Sequence, residues 1–307
     1  MTDVPAGNND STTYSTVFDI QKMDASSSVY LSESQDQLAI EEPLEILLQV
    51  KDRKAFSIGI TMRTPGEDLD LITGLLFSEG IIKQYSDIHS IDFTGPITEN
   101  YGLKNQALVK IDSDQPLDEK KFQRYFLTTS SCGICGKTAI ETLALLHCPE
   151  FEASKPSIES DTLFQLSATL KKQQVQFSTT GGQHAVGLYK SSGELMLVRE
   201  DIGRHNAMDK LIGSLLRTGF NDFTTSLLCL SGRASFELVQ KALMANIPFI
   251  AAVGAPSSLS VELARKHNMT LVGFLKNYSY NVYSGSQRLI EEQGCQRTSV
   301  NCLAEKA

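Results

Sequence analysis

Ser226-Leu227-Leu228-Cys229-Leu230, Phe249-Ile250-Ala251-Ala252-Val253 and Thr270-Leu271-Val272-Gly273-Phe274-Leu275 are three short apolar runs in the last third of the chain. Each is too short for an ordinary helix and is bounded by polar or turn-forming residues, so each reads as a buried strand. Between them lie Phe236–Met244 and Leu259–Lys266, whose apolar residues recur at helical spacing. Strands alternating with helices at this spacing predict crossover units and a parallel sheet.

Moving toward the N-terminus, Asn206–Leu216 and Leu163–Leu170 read as helices. Val175–Phe177 and Ala185–Tyr189 read as strands around the turn-like Thr179-Thr180-Gly181-Gly182, and Ser191-Ser192-Gly193 makes a hairpin into Leu195–Arg199. Farther out, Ile40–Val50 and Ala55–Met62 predict two strands joined at Lys51-Asp52-Arg53, the second with Phe56, Ile58, Ile60 and Met62 on one face. Thr64 is a candidate N-cap for a helix that buries Leu69, Ile72, Leu75 and Leu76 and ends at Gly80. Ile88–Phe93 and Ala107–Ile111 are strand-like, and Leu117–Phe126 reads as a helix.

The expected class is α/β, mixed α+β overall. A C-terminal three-layer sheet carries crossover helices, beside a smaller strand-rich N-terminal region. Residues 1–28 are polar and aperiodic and read as a disordered arm; 29–127 form the strand-rich domain. Residues 128–156 hold a cysteine loop, a helix and a linker, 157–285 the α/β domain, and 286–307 a polar tail.

The net charge of −8 over 307 residues argues against a nucleic-acid backbone as main partner. No apolar run approaches the roughly 18 residues of a membrane span, and no signal peptide is visible, so a cytoplasmic location without membrane insertion is expected.

In parallel sheets, ligands gather beyond the C-terminal strand ends. Here those ends are Ser231-Gly232-Arg233, Gly254-Ala255-Pro256-Ser257-Ser258 and Phe274-Leu275-Lys276-Asn277. Small residues, free helix N–H groups and the charges of Arg233 and Lys276 suit a purine nucleotide or another phosphorylated cofactor. The plainer reading is ordinary connecting loops. Two polar clusters also stand out: Arg199-Glu200-Asp201-Ile202-Gly203-Arg204-His205-Asn206, and Gly181-Gly182-Gln183-His184. A cap and a solvated turn would explain part of the first.

Ser130-Ser131-Cys132-Gly133-Ile134-Cys135-Gly136-Lys137 is the chemically richest stretch. Two thiols stand two residues apart in a glycine-loosened loop that runs into a helix beginning near Thr138. A helix N-terminus and Lys137 both lower a thiol pKa, which makes an accessible thiolate nucleophile. Two competing readings are half of a zinc site, needing Cys148, Cys229, His184 or His205 from elsewhere, and a structural disulfide, which the expected compartment disfavours. A zinc nucleobase deaminase is excluded by order and content: position 186 is Val, no proline precedes Cys132, and the thiols come before the histidine.

From Glu42 to Arg288 the chain resembles the formate dehydrogenase accessory sulfurtransferases, the FdhD family. The resemblance rests on many short pieces in order: Glu42-Pro43-Leu44, Met62-Arg63-Thr64-Pro65, Glu79-Gly80-Ile81-Ile82, Ser131-Cys132-Gly133-Ile134-Cys135-Gly136, Thr180-Gly181-Gly182 with His184, and Arg199-Glu200-Asp201. It continues through Gly203-Arg204-His205-Asn206-Ala207, Asp209-Lys210, Ser231-Gly232-Arg233, Ala255-Pro256, Leu271-Val272-Gly273-Phe274 and Asn281-Val282-Tyr283.

The resemblance implies a sulfur carrier whose core fold is similar to cytidine deaminases without their zinc. Such a carrier takes persulfide sulfur from a cysteine desulfurase and passes it to the molybdenum bis(molybdopterin guanine dinucleotide) cofactor of formate dehydrogenase, the client. By the family pattern Cys132 carries the persulfide and Cys135 assists. The cofactor segment is Phe274, Leu275, Lys276, Asn277, Tyr278 and Ser279, a homodimer is expected, and no structural metal is. Lys276 stands where members commonly have Arg, and Asn246 and Gly254 replace the usual Gly and Ser. The rival reading is a non-catalytic chaperone that binds the molybdenum cofactor.

Overall fold

The computed structural model of the chain describes residues 14–24, 26, 31–112, 149–152, 154–220 and 223–290. The first part holds β1 (Ser15–Met23), β2 (Leu31–Ala39), β3 (Glu42–Val50), β4 (Phe56–Arg63), α1 (Asp68–Ser78), β5 (Ile88–Ile97) and β6 (Lys104–Ile111). The second part holds β7 (Ile158–Glu159), α2 (Ser160–Gln173), α3 (Val175–Thr180), β8 (His184–Lys190), β9 (Leu195–Asp201), α4 (Arg204–Arg217) and β10 (Ser226–Leu230). It closes with α5 (Phe236–Met244), β11 (Phe249–Ala252), α6 (Ser258–Lys266), β12 (Thr270–Lys276), β13 (Ser279–Ser284) and β14 (Leu289–Ile290). Among the described residues no helix is long and apolar enough to cross a membrane.

The six-stranded sheet runs β13-β12-β11-β10-β8-β9. Its strands are apolar on both faces because both are covered. Leu228, Leu230, Ile250, Ala252 and Leu271 pack toward α4, α5 and α6. Leu227, Cys229, Phe249, Ala251 and Val272 pack toward Leu163, Leu166 and Leu170 of α2. The result is three layers, helix on sheet on helix. The sheet is mixed and not wholly parallel: β10, β11 and β12 are parallel, but β8 and β13 pair antiparallel with β10 and β12. Those outer strands enter from hairpin connections, which crossover spacing cannot reveal.

The N-terminal sheet runs β4-β3-β6-β5 and packs against Leu71, Ile72, Leu75 and Leu76 of α1. Leu44, Ile46, Leu48 and Val50 alternate inward on β3. The single-face expectation for β4 fails past Ile58. A register shift between Ile46 and Leu47 reverses the phase, so Ile60 and Met62 are exposed, at 58% and 47%. The same shift turns Thr61 and Arg63 inward. Arg63 is fully buried and grips Asp68 through Nε and Nη2 at 3.0 and 2.9 Å.

Several other expectations are corrected. Residues 15–23 of the expected disordered arm form β1, which pairs along its length with β2. This ribbon is held by its ladder and has little core contact, so no burial pattern announces it. Thr64 is not a helix cap. The helix starts at Asp68 after Glu67 in a left-handed conformation (φ 57°), and Thr64 faces Gln183, Asp201 and Ile202 instead. Val175–Phe177 is the first turn of α3, not a strand, because the Glu200 carboxylate accepts the N–H groups of Gln176 and Phe177, each at 2.9 Å. Within the expected linker, Phe151 is buried; within the expected tail, Arg288 is fully buried and donates to the carbonyls of Glu152 and Lys155 and to Thr270 Oγ1. Gly80 does end α1: its N–H and that of Ile81 bond to the carbonyls of Phe77 and Leu76, each at 2.9 Å.

The two sheets are joined through α1 and α4, whose backbones touch. A Cβ on Gly74 would lie 1.9 Å from the Asp209 carbonyl oxygen, and one on Gly213 1.9 Å from that of Asp70. Only glycine permits this approach. Beside the crossing, Lys241 Nζ donates to both Asp209 oxygens at 2.8 and 2.9 Å, and Ser78 donates to Asp209 at 3.0 Å. Glu79 stands 4.0 Å from Lys241 Nζ. Burial, only partly offset by Lys241, holds the Glu79 carboxyl at about 7, against an ordinary 4.5. The folded chain therefore keeps this proton where the unfolded chain has lost it, and stability falls as pH rises from about 4.5 to about 7. Glu79→Gln should remove that slope, by up to roughly 3 kcal/mol, in urea unfolding across this range. Parallel slopes for both proteins would contradict the assignment.

Candidate functional site

At the C-terminal ends of β10, β11 and β12 the sheet opens onto a cleft of about 1330 Å³. One wall is the segment Leu275-Lys276-Asn277-Tyr278-Ser279, with Val253 and Ser231 from the neighbouring strand ends. The opposite wall comes from α2 and α3, including Leu170, Lys171, Lys172 and Phe177. Gly181, Gly182, Gln183 and His184 close one end.

The wall segment owes its shape to an irregular β12. The register with β13 shifts between Gly273 and Lys276, and Phe274 takes a left-handed φ of 53°. Leu275 is thereby buried while Lys276 and Asn277 are exposed, and Tyr278 is 87% exposed. Of the six residues expected to form the cofactor segment, five line the cleft. Phe274 does not; its N–H donates to the Gly254 carbonyl at 3.1 Å and tethers the segment to the adjacent loop.

The chemistry of the lining is mixed. Phe177 and Val253 supply apolar surface over the buried Leu170 and Leu275, and Lys171, Lys172 and Lys276 supply positive charge at the rim. Gln183 is 4% exposed; its Nε2 donates to Thr64 Oγ1 at 2.9 Å, and its Oε1 is buried without a hydrogen-bond partner. An unpaired buried acceptor is costly and suits a ligand N–H. Burial, then the influence of Arg204, His205 and Arg233, holds the His184 imidazole below its ordinary 6.5, leaving it neutral at pH 7.

Most of the charged cluster from 199 to 206 builds the contact between the six-stranded sheet and the segment around Thr64 and α1. Asp201 is fully buried and pairs with Lys210 Nζ at 2.8 Å. Its carboxylate also accepts from the N–H groups of Gly203 and Thr64 and from Asn206 Nδ2. Arg199 bridges Asp70 and Glu67, and Glu200 holds the start of α3. His205 Nε2 lies 3.1 Å from Ser235 Oγ and 3.6 Å from Glu237. Arg204 remains, with its Nε buried and unpartnered.

Cys132 and Cys135 lie outside the described residues, as does Leu117–Phe126. Cys229 is sealed in the core under α2, and burial pushes its thiol up to about 12, so it is no nucleophile. Lys171, Lys172 and Phe177 escaped sequence reasoning. A lysine pair near a helix end looks like ordinary solvated charge, and Phe177 lies where a strand was expected.

A three-layer α/β domain with a nucleotide-sized, cation-rimmed cleft at its parallel strand ends defines the class. The chain belongs to the FdhD/NarQ family, whose model matches residues 39–290. It is 44% identical over 265 residues to the sulfur carrier protein FdhD of Nocardia farcinica, covering 86% of this chain and 92% of that protein. It is 38% identical over 255 residues to the protein of the same description from Sulfurisphaera tokodaii, covering 83% and 92%. A crystal structure of a protein described as a formate dehydrogenase accessory protein, from Desulfotalea psychrophila, aligns with a TM-score of 0.66. It covers 91% of this chain and 100% of its own at 24% identity, a likeness of fold.

Proposed function

We propose that this protein is a sulfur carrier that serves formate dehydrogenase. Cys132 accepts sulfur from the persulfide of a cysteine desulfurase, with Cys135 assisting. The sulfur is delivered to molybdenum bis(molybdopterin guanine dinucleotide), the substrate whose nucleotide end the cleft seats. The observation that carries this reading is the cleft itself: five of the six segment residues line it, in a chain 44% identical to a sulfur carrier.

In the first step the Cys132 thiolate attacks the terminal sulfur of the donor persulfide. The donor S–S bond breaks, the donor cysteine leaves as thiolate, and a new S–S bond forms on Cys132. The proton on the terminal sulfur stays with it. The rate follows the thiolate fraction and access. In the cleft, Phe177 offers a face to the purine, Gln183 Oε1 an acceptor for its N–H groups, and Lys276 a charge for phosphate. Lys276 acts as a point charge and does not fork around the phosphate as an arginine would. A cytoplasmic homodimer completes the proposal.

GDP is the probe for the nucleotide end. By isothermal titration the wild-type chain should bind GDP and GMP, and Lys276→Glu should weaken both by about tenfold. Absence of GDP binding to the wild type would remove the cleft from the account.

A further inference from the structure

We infer that β1 is a dimerisation strand: a second copy of this chain adds its own β1 antiparallel to it, across a two-fold axis at Ile20, and the two ribbons become one four-stranded sheet. The inference rests on the homodimer reading and names the surface that forms the dimer.

The β1–β2 ribbon lacks what holds the other sheets. A two-stranded hairpin alone is marginally stable in water; a third strand or a covering helix is needed for stability of its own. Val17, Phe18 and Met23 on β1 are at least half exposed, and Leu31 and Leu38 add exposed apolar surface on β2. β2 rests on α3, so β1 is the strand left to accept a neighbour. β1 also lies N-terminal to the stretch that the family model matches. The edges of the two larger sheets are guarded against strand addition. Asn206 Nδ2 occupies the Met62 carbonyl of β4, Arg265 Nε the Tyr283 carbonyl of β13 and Arg199 Nη1 the Val198 carbonyl of β9, while β5 carries Pro96. Among the described residues the backbone of β1 has β2 as its partner and carries no such guard.

The pairing with β2 decides which backbone groups of β1 face outward. The Ile40 N–H donates to the Tyr14 carbonyl at 2.9 Å, one step beyond the Ser15–Ala39 pair of the ladder. Tyr14 is therefore a hydrogen-bonded position, and such positions recur at every second residue of an antiparallel pair. Thr16, Phe18, Ile20 and Lys22 follow it in bonding to β2. The N–H and C=O groups of Val17, Asp19, Gln21 and Met23 point the other way, toward a strand not yet there.

The side chains of β1 suit a second β1. Residues opposite each other across an antiparallel pair share a face, so a two-fold axis normal to the sheet passes one residue and its own copy. An axis at Asp19 sets two carboxylates against each other, which is destabilising. An axis at Phe18 sets Asp19 against Val17 and leaves Met23 without a partner. An axis at Ile20 sets Ile20 against Ile20, Val17 against Met23, Phe18 against Lys22 and Asp19 against Gln21. Those pairs are apolar on apolar, a cation against an aromatic ring, and a carboxylate beside an amide. β2 offers less, since its charged residues, Glu33 and Asp36, are both acidic.

The test is size-exclusion chromatography with light scattering on the full chain, in which the wild type should be a dimer. Ile20→Glu and Ile20→Lys should each weaken dimerisation by about a hundredfold, because each sets like charges opposite one another. An equimolar mixture of the two should dimerise again, a rescue that follows only if position 20 meets itself. Ile20→Cys carries the test if the charge variants fold poorly. With Ile20 at a position not bonded across the axis, the two Cα atoms lie about 4.5 Å apart, within disulfide range. Oxidised glutathione should then link position 20 of one copy to position 20 of the other, identified by peptide mapping apart from links at native cysteines. A wild-type dimer that persists in both charge variants, with no link through position 20, would overturn β1 as the interface and leave the homodimer standing. A monomeric wild type with no such link in Ile20→Cys would overturn both.

Discussion

Cys132→Ala should abolish sulfur acceptance and, in cells lacking their own carrier, reduce formate dehydrogenase activity to background. The expected loss follows from Cys132 being the residue that holds the transferred sulfur, a step that Cys229, the one cysteine among the described residues, cannot take over. The transferred sulfur must be held on a thiolate, and Cys229, the free cysteine of the core, is buried under α2 with its thiol near 12. Cys229→Ala is accordingly expected to lower stability modestly and leave sulfur loading intact. Undiminished formate dehydrogenase activity with Cys132→Ala would favour the chaperone reading, in which the cleft binds cofactor and the cysteines carry no sulfur.

Asp201→Ala should be the most destabilising single change where the six-stranded sheet meets Thr64. It leaves Lys210, 1% exposed, as a buried unpaired cation, and deprives Thr64, Gly203 and Asn206 of their acceptor. Breaking a buried pair from one side costs roughly 3–5 kcal/mol, a large share of the stability of an ordinary domain. Urea unfolding should show the loss, and Asp201→Ala combined with Lys210→Met should recover part of it. A shift under about 1 kcal/mol would mean that the pair is not what holds Thr64 and the N-terminal sheet against the six-stranded sheet.

Much of the C-terminal fold was legible because burial on both faces leaves a continuous apolar signature. Leu227 to Leu230 and Phe249 to Ala252 show it without ambiguity. Elements determined by distant partners were not legible. α3 exists because Glu200, more than twenty residues away, caps it; Ile60 and Met62 point outward because Ile58 is an extra residue in the ladder of β4 with β3; among the described residues the ladder partner of β1 is β2. The cleft was half legible. Strand ends with glycine and lysine marked one wall, while the α2–α3 wall rests on tertiary packing. The cluster from 199 to 206 was noticed for its charge, and its purpose became apparent only from its partners. Asp201 and Arg199 tie the six-stranded sheet to Thr64 and α1, Glu200 holds the start of α3, and Arg204 stands apart. Asn246 is accommodated at φ 58° because asparagine tolerates the left-handed region.

Peptide-mapped mass spectrometry of the intact protein, after incubation with a cysteine desulfurase and cysteine, tests sulfur carriage most directly. One added sulfur on the peptide containing Cys132, removable by a thiol reductant and absent from Cys132→Ala, is the predicted result. Free, alkylatable thiols at Cys132 and Cys135 with no added sulfur would contradict it.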